Sequence, residues 1–190
     1  NEPTSIYQGI ISNSTGGKKL VSTQNKSFIV WENTNPESKK VYLQITDNAN
    51  GQVMWPQTAK RLSSRSHFSS IVNAKLNLQN RLVVWWLEKN NNETRMKIQV
   101  VEPNGNFLYP EEGLVIVNLP YYYDVSLFDK SSIQFEGDRA FFYFFDYDEN
   151  NLFDIIRGQC VHNGNLMWGE QGRMIVHKAL DPDMFSPDNI

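Results

Sequence analysis

One cysteine, Cys160, stands alone in 190 residues, so no disulfide can form within the chain. That leaves the compartment open, because larger all-β secreted domains often lack disulfides. Basic clusters are also missing: 18 Lys and Arg are scattered against 21 Asp and Glu, for a net charge of −3. Without a basic stripe to neutralise phosphates, nucleic acid is excluded as the expected partner. No apolar run approaches the ~18 residues of a membrane-crossing helix. The start, "NEPTSIYQG", lacks a charged segment followed by an apolar one, so no signal peptide is read there. His67, His162 and His177 have no metal-ligand spacing, and G-x-S-x-G, P-loop and C-x-x-C motifs are all absent. Alanine is scarce too, which removes the commonest helix former.

What the chain does contain favours strands. Aromatics reach 13% of the residues, and Val and Ile are plentiful. Branched and flat side chains fit a pleated, half-buried surface. With 40% apolar and 21% charged residues, the composition is that of a folded domain and not of a disordered chain.

Three segments repeat one pattern, beginning at Phe28, Leu82 and Ala140. Each has an apolar run, a polar loop, and a second run holding Gln44, Gln99 or Gln159. A turn with Asn-Gly follows, and an aromatic stands four residues after each glycine: Trp55, Tyr109 and Trp168. The turn glycines Gly51, Gly105 and Gly164 are spaced by about 54 and 59 residues, near the long end for a propeller blade. Runs such as Leu82–Trp86 and Ala140–Phe145 are apolar at nearly every position, as in strands covered on both faces. Asn-Gly predicts hairpins with positive φ at both residues, and places the aromatic early in the fourth strand. There it is expected to plug the gap between neighbouring sheets, while a second glycine lets the chain leave the outer strand.

These features predict an all-β fold of consecutive four-stranded antiparallel blades, a β-propeller, with a two-sheet β-sandwich as the alternative. The expected units are 1–17 (partial), 18–63, 64–117, 118–176 and 177–190 (partial). Three full units are too few to close a ring of ~4–8 blades, so the expectation is a fragment of a larger propeller or a chain completed by a partner. A strand and its loop are lacking around Gly17 and Lys18, where the spacing to Phe28 is short.

"VWEN…VYLQITDNANGQVMW" and "FDYDENNLFDIIRGQCVHNGNLMWGEQGRMIV" resemble the propeller repeats of secreted bacterial cell-surface proteins. The third unit matches best. In the second, Tyr109-Pro110 replaces Trp-Gly, and the first lacks the Gly-x-x-Gly step after Trp55-Pro56. The resemblance implies export, a secreted or cell-surface location, and binding roles without a catalytic centre.

Few residues point to chemistry. Asp146, Asp148, Asn150 and Asp154 have the 1, 3, 5, 9 spacing of an EF-hand-like calcium loop, but Asn151 and Arg157 replace its Gly and Glu. The expected default is therefore a solvated hairpin loop and no cofactor. Tyr121, Tyr122 and Tyr123 alternate faces on a strand, so one could offer a flat surface to a sugar ring or protein. Glu32, Glu88 and Asp146 are read as occupying comparable places in successive units, the mark of a repeated acid and not of a unique catalytic pair. The functional expectation is thus a non-catalytic extracellular scaffold binding protein or glycan through its loops. The alternatives are a propeller-fold glycan hydrolase or its accessory domain, or a subunit of a larger surface assembly.

Overall fold

The computed structural model describes residues 18–33, 39–64, 68–89, 93–119, 131–147 and 153–179. Every element among them is a β-strand, as the composition requires. The first sheet runs β1 (Lys18–Ser22), β2 (Lys26–Glu32), β3 (Val41–Asp47) and β4 (Lys60–Arg61), in that order. The second runs β5 (Phe68–Leu76), β6 (Leu82–Lys89), β7 (Thr94–Val101) and β8 (Leu114–Leu119). The third contains β9 (Ser132–Glu136), β10 (Arg139–Tyr147), β11 (Phe153–His162), β12 (Asn165–Leu166) and β13 (Arg173–Ala179), the last two both on the free edge of β11. All pairings are antiparallel and, apart from β11 with β13, between consecutive strands, so each sheet is finished before the next begins. The chain forms two compact units: Asn1–Tyr122 holds the first two sheets and Tyr123–Ile190 the third.

Register assigns each side chain to a face, because opposed residues in an antiparallel pair point the same way. Ile29 opposes Gln44, Val84 opposes Gln99 and Phe142 opposes Gln159. This is the Gln face of each sheet. On the other face of the first sheet lie Phe28, Val30, Val41, Leu43 and Ile45. They join Leu82, Val84, Trp86 and Val101 from the Gln face of the second sheet in one buried cluster. The first two sheets are therefore stacked, the non-Gln face of one on the Gln face of the next.

The outer strand of each sheet is broken in the same way. It makes a short pairing beside the hairpin turn, at Val53, Phe107 or Asn165–Leu166, then leaves the ladder and returns as β4, β8 or β13. The glutamine fills the break. Its Oε1 accepts from the backbone N–H of Trp55, Tyr109 or Trp168, at 3.2, 3.1 and 3.2 Å. The same oxygen accepts from the following residue of its own strand, at 3.0 Å in all three sheets. Its Nε2 donates to a carbonyl on the excursion: Trp55, Pro110 or Gly169. All three glutamines are fully buried. A buried primary amide is tolerable only when both its ends are satisfied, and here it supplies what the ladder has lost.

The aromatic therefore sits in the break before the fourth strand, not early within it. At Trp55 the ring serves the role anticipated for it: it packs against the shared core and lies where a Cβ on Gly105, in the next sheet's turn, would meet its Cζ2 at 3.0 Å. The glycines also depart from expectation. Only Asn163-Gly164 has positive φ at both residues (49° and 78°). At Gly105 (φ 88°) the chain makes a turn with Pro103 at its second place, closed by the Gly105 N–H on the Glu102 carbonyl at 2.8 Å. This is a type I turn ended by a left-handed glycine, so Asn104 keeps negative φ. The second glycine opens the outer strand: Gly113 (φ 78°) precedes β8, and its ideal Cβ would lie 2.6 Å from the Trp86 ring.

Gln99→Met keeps the volume and removes the clamp, stranding the Tyr109 N–H and Val100 N–H. Urea unfolding should show a loss of about 3 kcal/mol, on the scale of two buried groups left without partners. The solvent-facing Gln79→Met should change stability little, within about 0.5 kcal/mol.

Candidate functional site

Polar side chains gather where the first sheet crosses to the second. Glu88, near the end of β6, is on the Gln face with Trp86 and Lys97. Its Oε1 accepts from the Ser64 N–H at 2.7 Å and from the Trp86 indole N–H at 3.2 Å. Its Oε2 is 3.0 Å from Lys97 Nζ, and the two side chains are only 0% and 7% exposed. Lys97 Nζ also donates to the Glu112 carbonyl at 2.8 Å. Ser69, opposite Glu88 on β5, is buried with its Oγ unbonded.

The first sheet contributes the other half. Lys40, 8% exposed, donates its backbone N–H to Asn33 Oδ1 at 2.6 Å. Burial pushes the Lys40 ammonium below its ordinary pKa; Glu88 opposes that shift, Arg61 adds to it, and Glu112 opposes it. Arg61 Nε donates to the Ser63 carbonyl at 2.9 Å, and Ser63 Oγ accepts from the Val41 N–H at 2.9 Å. Lys40, Arg61, Glu88, Lys97 and Glu112 thus form one network of mixed charge around residues 63–64. Buried ions need this pairing, since either partner alone would bear the full desolvation cost. Glu112 is the member whose residue is open to solvent.

Register corrects the equivalence of Glu32, Glu88 and Asp146. Four residues beyond Ile29, Val84 and Phe142 stand Asn33, Glu88 and Asp146. Glu32 is one place short and points to the opposite face, where its Oε1 accepts from the Val72 N–H of β5 at 3.1 Å. Glu88 and Asp146 do correspond, down to their cations: Arg157 Nε is 2.8 Å from Asp146 Oδ2, and both Lys97 and Arg157 stand two residues before the clamp glutamine. That spacing was the available signal for Lys97. Lys40, Arg61 and Glu112 come together only through the stacking of two sheets, and no sequence pattern marks them.

The calcium reading meets this ion pair at Asp146. Asp148 and Asn150 lie outside the described residues, as does the side chain of Asp154, whose backbone pairs with Tyr147 in the sheet. Among the described residues no group of three His, Cys, Asp or Glu could hold a metal ion. Tyr121, Tyr122 and Tyr123 also lie outside the described residues. None of the described elements is a helix long and apolar enough to cross a membrane.

No protein-family model matches the sequence, and no curated protein does. Among solved structures the chain is similar to the endo-arabinase from Bacteroides thetaiotaomicron VPI-5482, with 8% identity and a TM-score of 0.48 over 87% of this chain. It is also similar to a thermostable family-43 glycoside hydrolase, with 9% identity and a TM-score of 0.44, again over 87% of this chain. The chain spans 65% and 54% of the lengths of these two structures. The class found among these neighbours is the glycan hydrolase that the sequence analysis held as an alternative. The leading expectation of a non-catalytic scaffold is corrected accordingly.

Two outcomes test the cluster. Lys97→Met should destabilise the protein by about 3–5 kcal/mol in chemical denaturation, because it leaves Glu88 buried without its cation. Lys60→Met, which breaks the exposed Lys60–Glu111 pair (3.0 Å), should cost about 1 kcal/mol or less. Lys40 contributes to the pH response. Its folded pKa lies below the unfolded value of 10.5, so between the two the unfolded chain binds the extra proton. Stability contributed at Lys40 therefore rises with pH through that window. Stability curves of native protein and Lys40→Met, measured up to about pH 10.5, should diverge in the native protein's favour as pH increases.

Proposed function

We propose that this chain is part of a β-propeller that acts on glycans, as a glycan hydrolase or as the accessory domain of one. Each four-stranded meander is then one blade, and the stacking of the first two sheets is the blade-to-blade contact. The reading carries the expectation of a secreted or cell-surface location, where polysaccharide is met.

The observation that supports it most is the charged cluster at one end of the paired sheets. Apolar packing would close that end at lower electrostatic cost, so the retained ions ask for a use. Glycoside cleavage needs carboxylates held beside groups that tune them, and sugar binding needs fixed donors and acceptors at a surface. Glu112 is the carboxylate that a glycan could reach, with Lys40 beside it. Glu88, fully buried, cannot touch substrate; it acts by holding Lys97 and the Ser64 backbone, as a positioning residue.

Release of reducing ends from a panel of polysaccharides, arabinan among them, tests this reading alongside retention of the protein on the same polymers. A hydrolase should release sugar and lose about a hundredfold in turnover with Glu112→Gln, the scale of one missing acid–base group. An accessory domain should be retained without release, and Glu112→Gln should weaken retention. A protein that neither cleaves nor binds any member of the panel removes the proposal.

A further inference from the structure

The third sheet is apolar on both faces, and one of them is only partly buried. On its Gln face Phe142, Phe144 and Val161 are buried. On the other face Phe141, Tyr143, Phe145 and Ile156 are each only partly buried, beside Ile175 at 45% exposure. Register matches these positions one by one to the sealed face of the first sheet. Phe141 and Cys160 correspond to Phe28 and Ile45, Tyr143 and Gly158 to Val30 and Leu43, and Phe145 and Ile156 to Glu32 and Val41. In the first sheet those apolar positions are dry because the second sheet lies on them.

The break in the outer strand shows the same contrast. Trp55 leans onto the glycine turn of the following sheet, at Gly105. Trp168 instead lies over its own strand: an ideal Cβ on Gly158 would be 2.8 Å from its Cζ3, and its ring is tilted against Phe141 at 5.9 Å between centroids. Glycine stands where the other sheets carry Leu43 and Ile98, and the indole occupies that space.

We propose that this face of the third sheet is a docking surface for a further four-stranded sheet of the same repeat. The occupant would present a Gln face of the Leu82, Val84, Trp86 kind and a hairpin glycine against Trp168. The first sheet of a second copy is a poorer match, since Ser27 and Thr46 on its Gln face stand where the second sheet carries Leu82 and Val101. The inference rests on the stacking of the first two sheets and on no activity toward glycans, so a failed polysaccharide assay leaves it standing.

The test uses thiol accessibility. In a Cys160→Ala background, Ile175→Cys is introduced into the full chain and into the same chain extended after Ile190 by a copy of residues 68–119. Ile175→Cys should react freely with a maleimide in the unextended chain, while Ile45→Cys, on the sealed face of the first sheet, should not. In the extended chain Ile175→Cys should react at least about tenfold more slowly, as expected of a site that is exposed only on opening. Equal rates in the two chains overturn the proposal. So does an unextended chain that is dimeric by light scattering and already protects Ile175→Cys, because a second copy is then the occupant.

Discussion

A single side-chain amide governs each sheet. Where the outermost strand abandons its ladder, the backbone on both sides of the gap would be left with buried, unsatisfied groups. Gln44, Gln99 and Gln159 bridge that gap with one oxygen that accepts twice and one nitrogen that donates. No other uncharged side chain of this length has both functions at one end. A shorter Asn would not span the gap, and a Glu would offer no donor to the carbonyls. The break in turn makes room for a bulky ring that a regular strand would have aimed along the sheet normal. Sheet stacking then depends on where that ring goes, and the glycines at 105 and 158 follow from it, since a Cβ at either would meet Trp55 or Trp168.

Against this apolar stacking, the ions at the crossing between the first two sheets stand out. Glu88 and Glu32 have opposite orientations in their own sheets, yet both accept backbone N–H groups across the boundary between sheets, from Ser64 and Val72. Their carboxylates act as substitutes for ladder partners, as the glutamine amides do. The structural duty of Glu88 is what turns attention to Glu112, which is exposed as a residue and whose backbone carbonyl is held by Lys97.

Much of the architecture is legible in the sequence because it repeats. Gln44, Gln99 and Gln159 recur at fixed distances from the turn glycine and the aromatic, and strand composition leaves little room for helix. What the repeat hid is instructive. Glu32 looked equivalent to Glu88 because each is the acid nearest the end of its apolar run; only hydrogen-bond register shows the offset of one, and in a strand that offset reverses the face. Asn-Gly occurs three times and adopts two conformations, because Pro103 before Asn104 and the longer loop from Asp47 impose other turns on the same dipeptide. The charged cluster joins residues of two sheets that are up to 72 positions apart in the chain, from Lys40 to Glu112. No local pattern encodes such a meeting. The non-catalytic expectation rests on a likeness in strand and turn residues, which report how sheets are built and say little about what gathers at their ends.

The carboxylates that span the crossing also decide how this part of the molecule comes apart. Prising the first sheet from the second bares the Phe28–Leu43 surface, and in the same motion strips Glu88 of Ser64 and Glu32 of Val72. Greasy contact and anion solvation are thereby tied to one event, which favours opening of the pair as a single block.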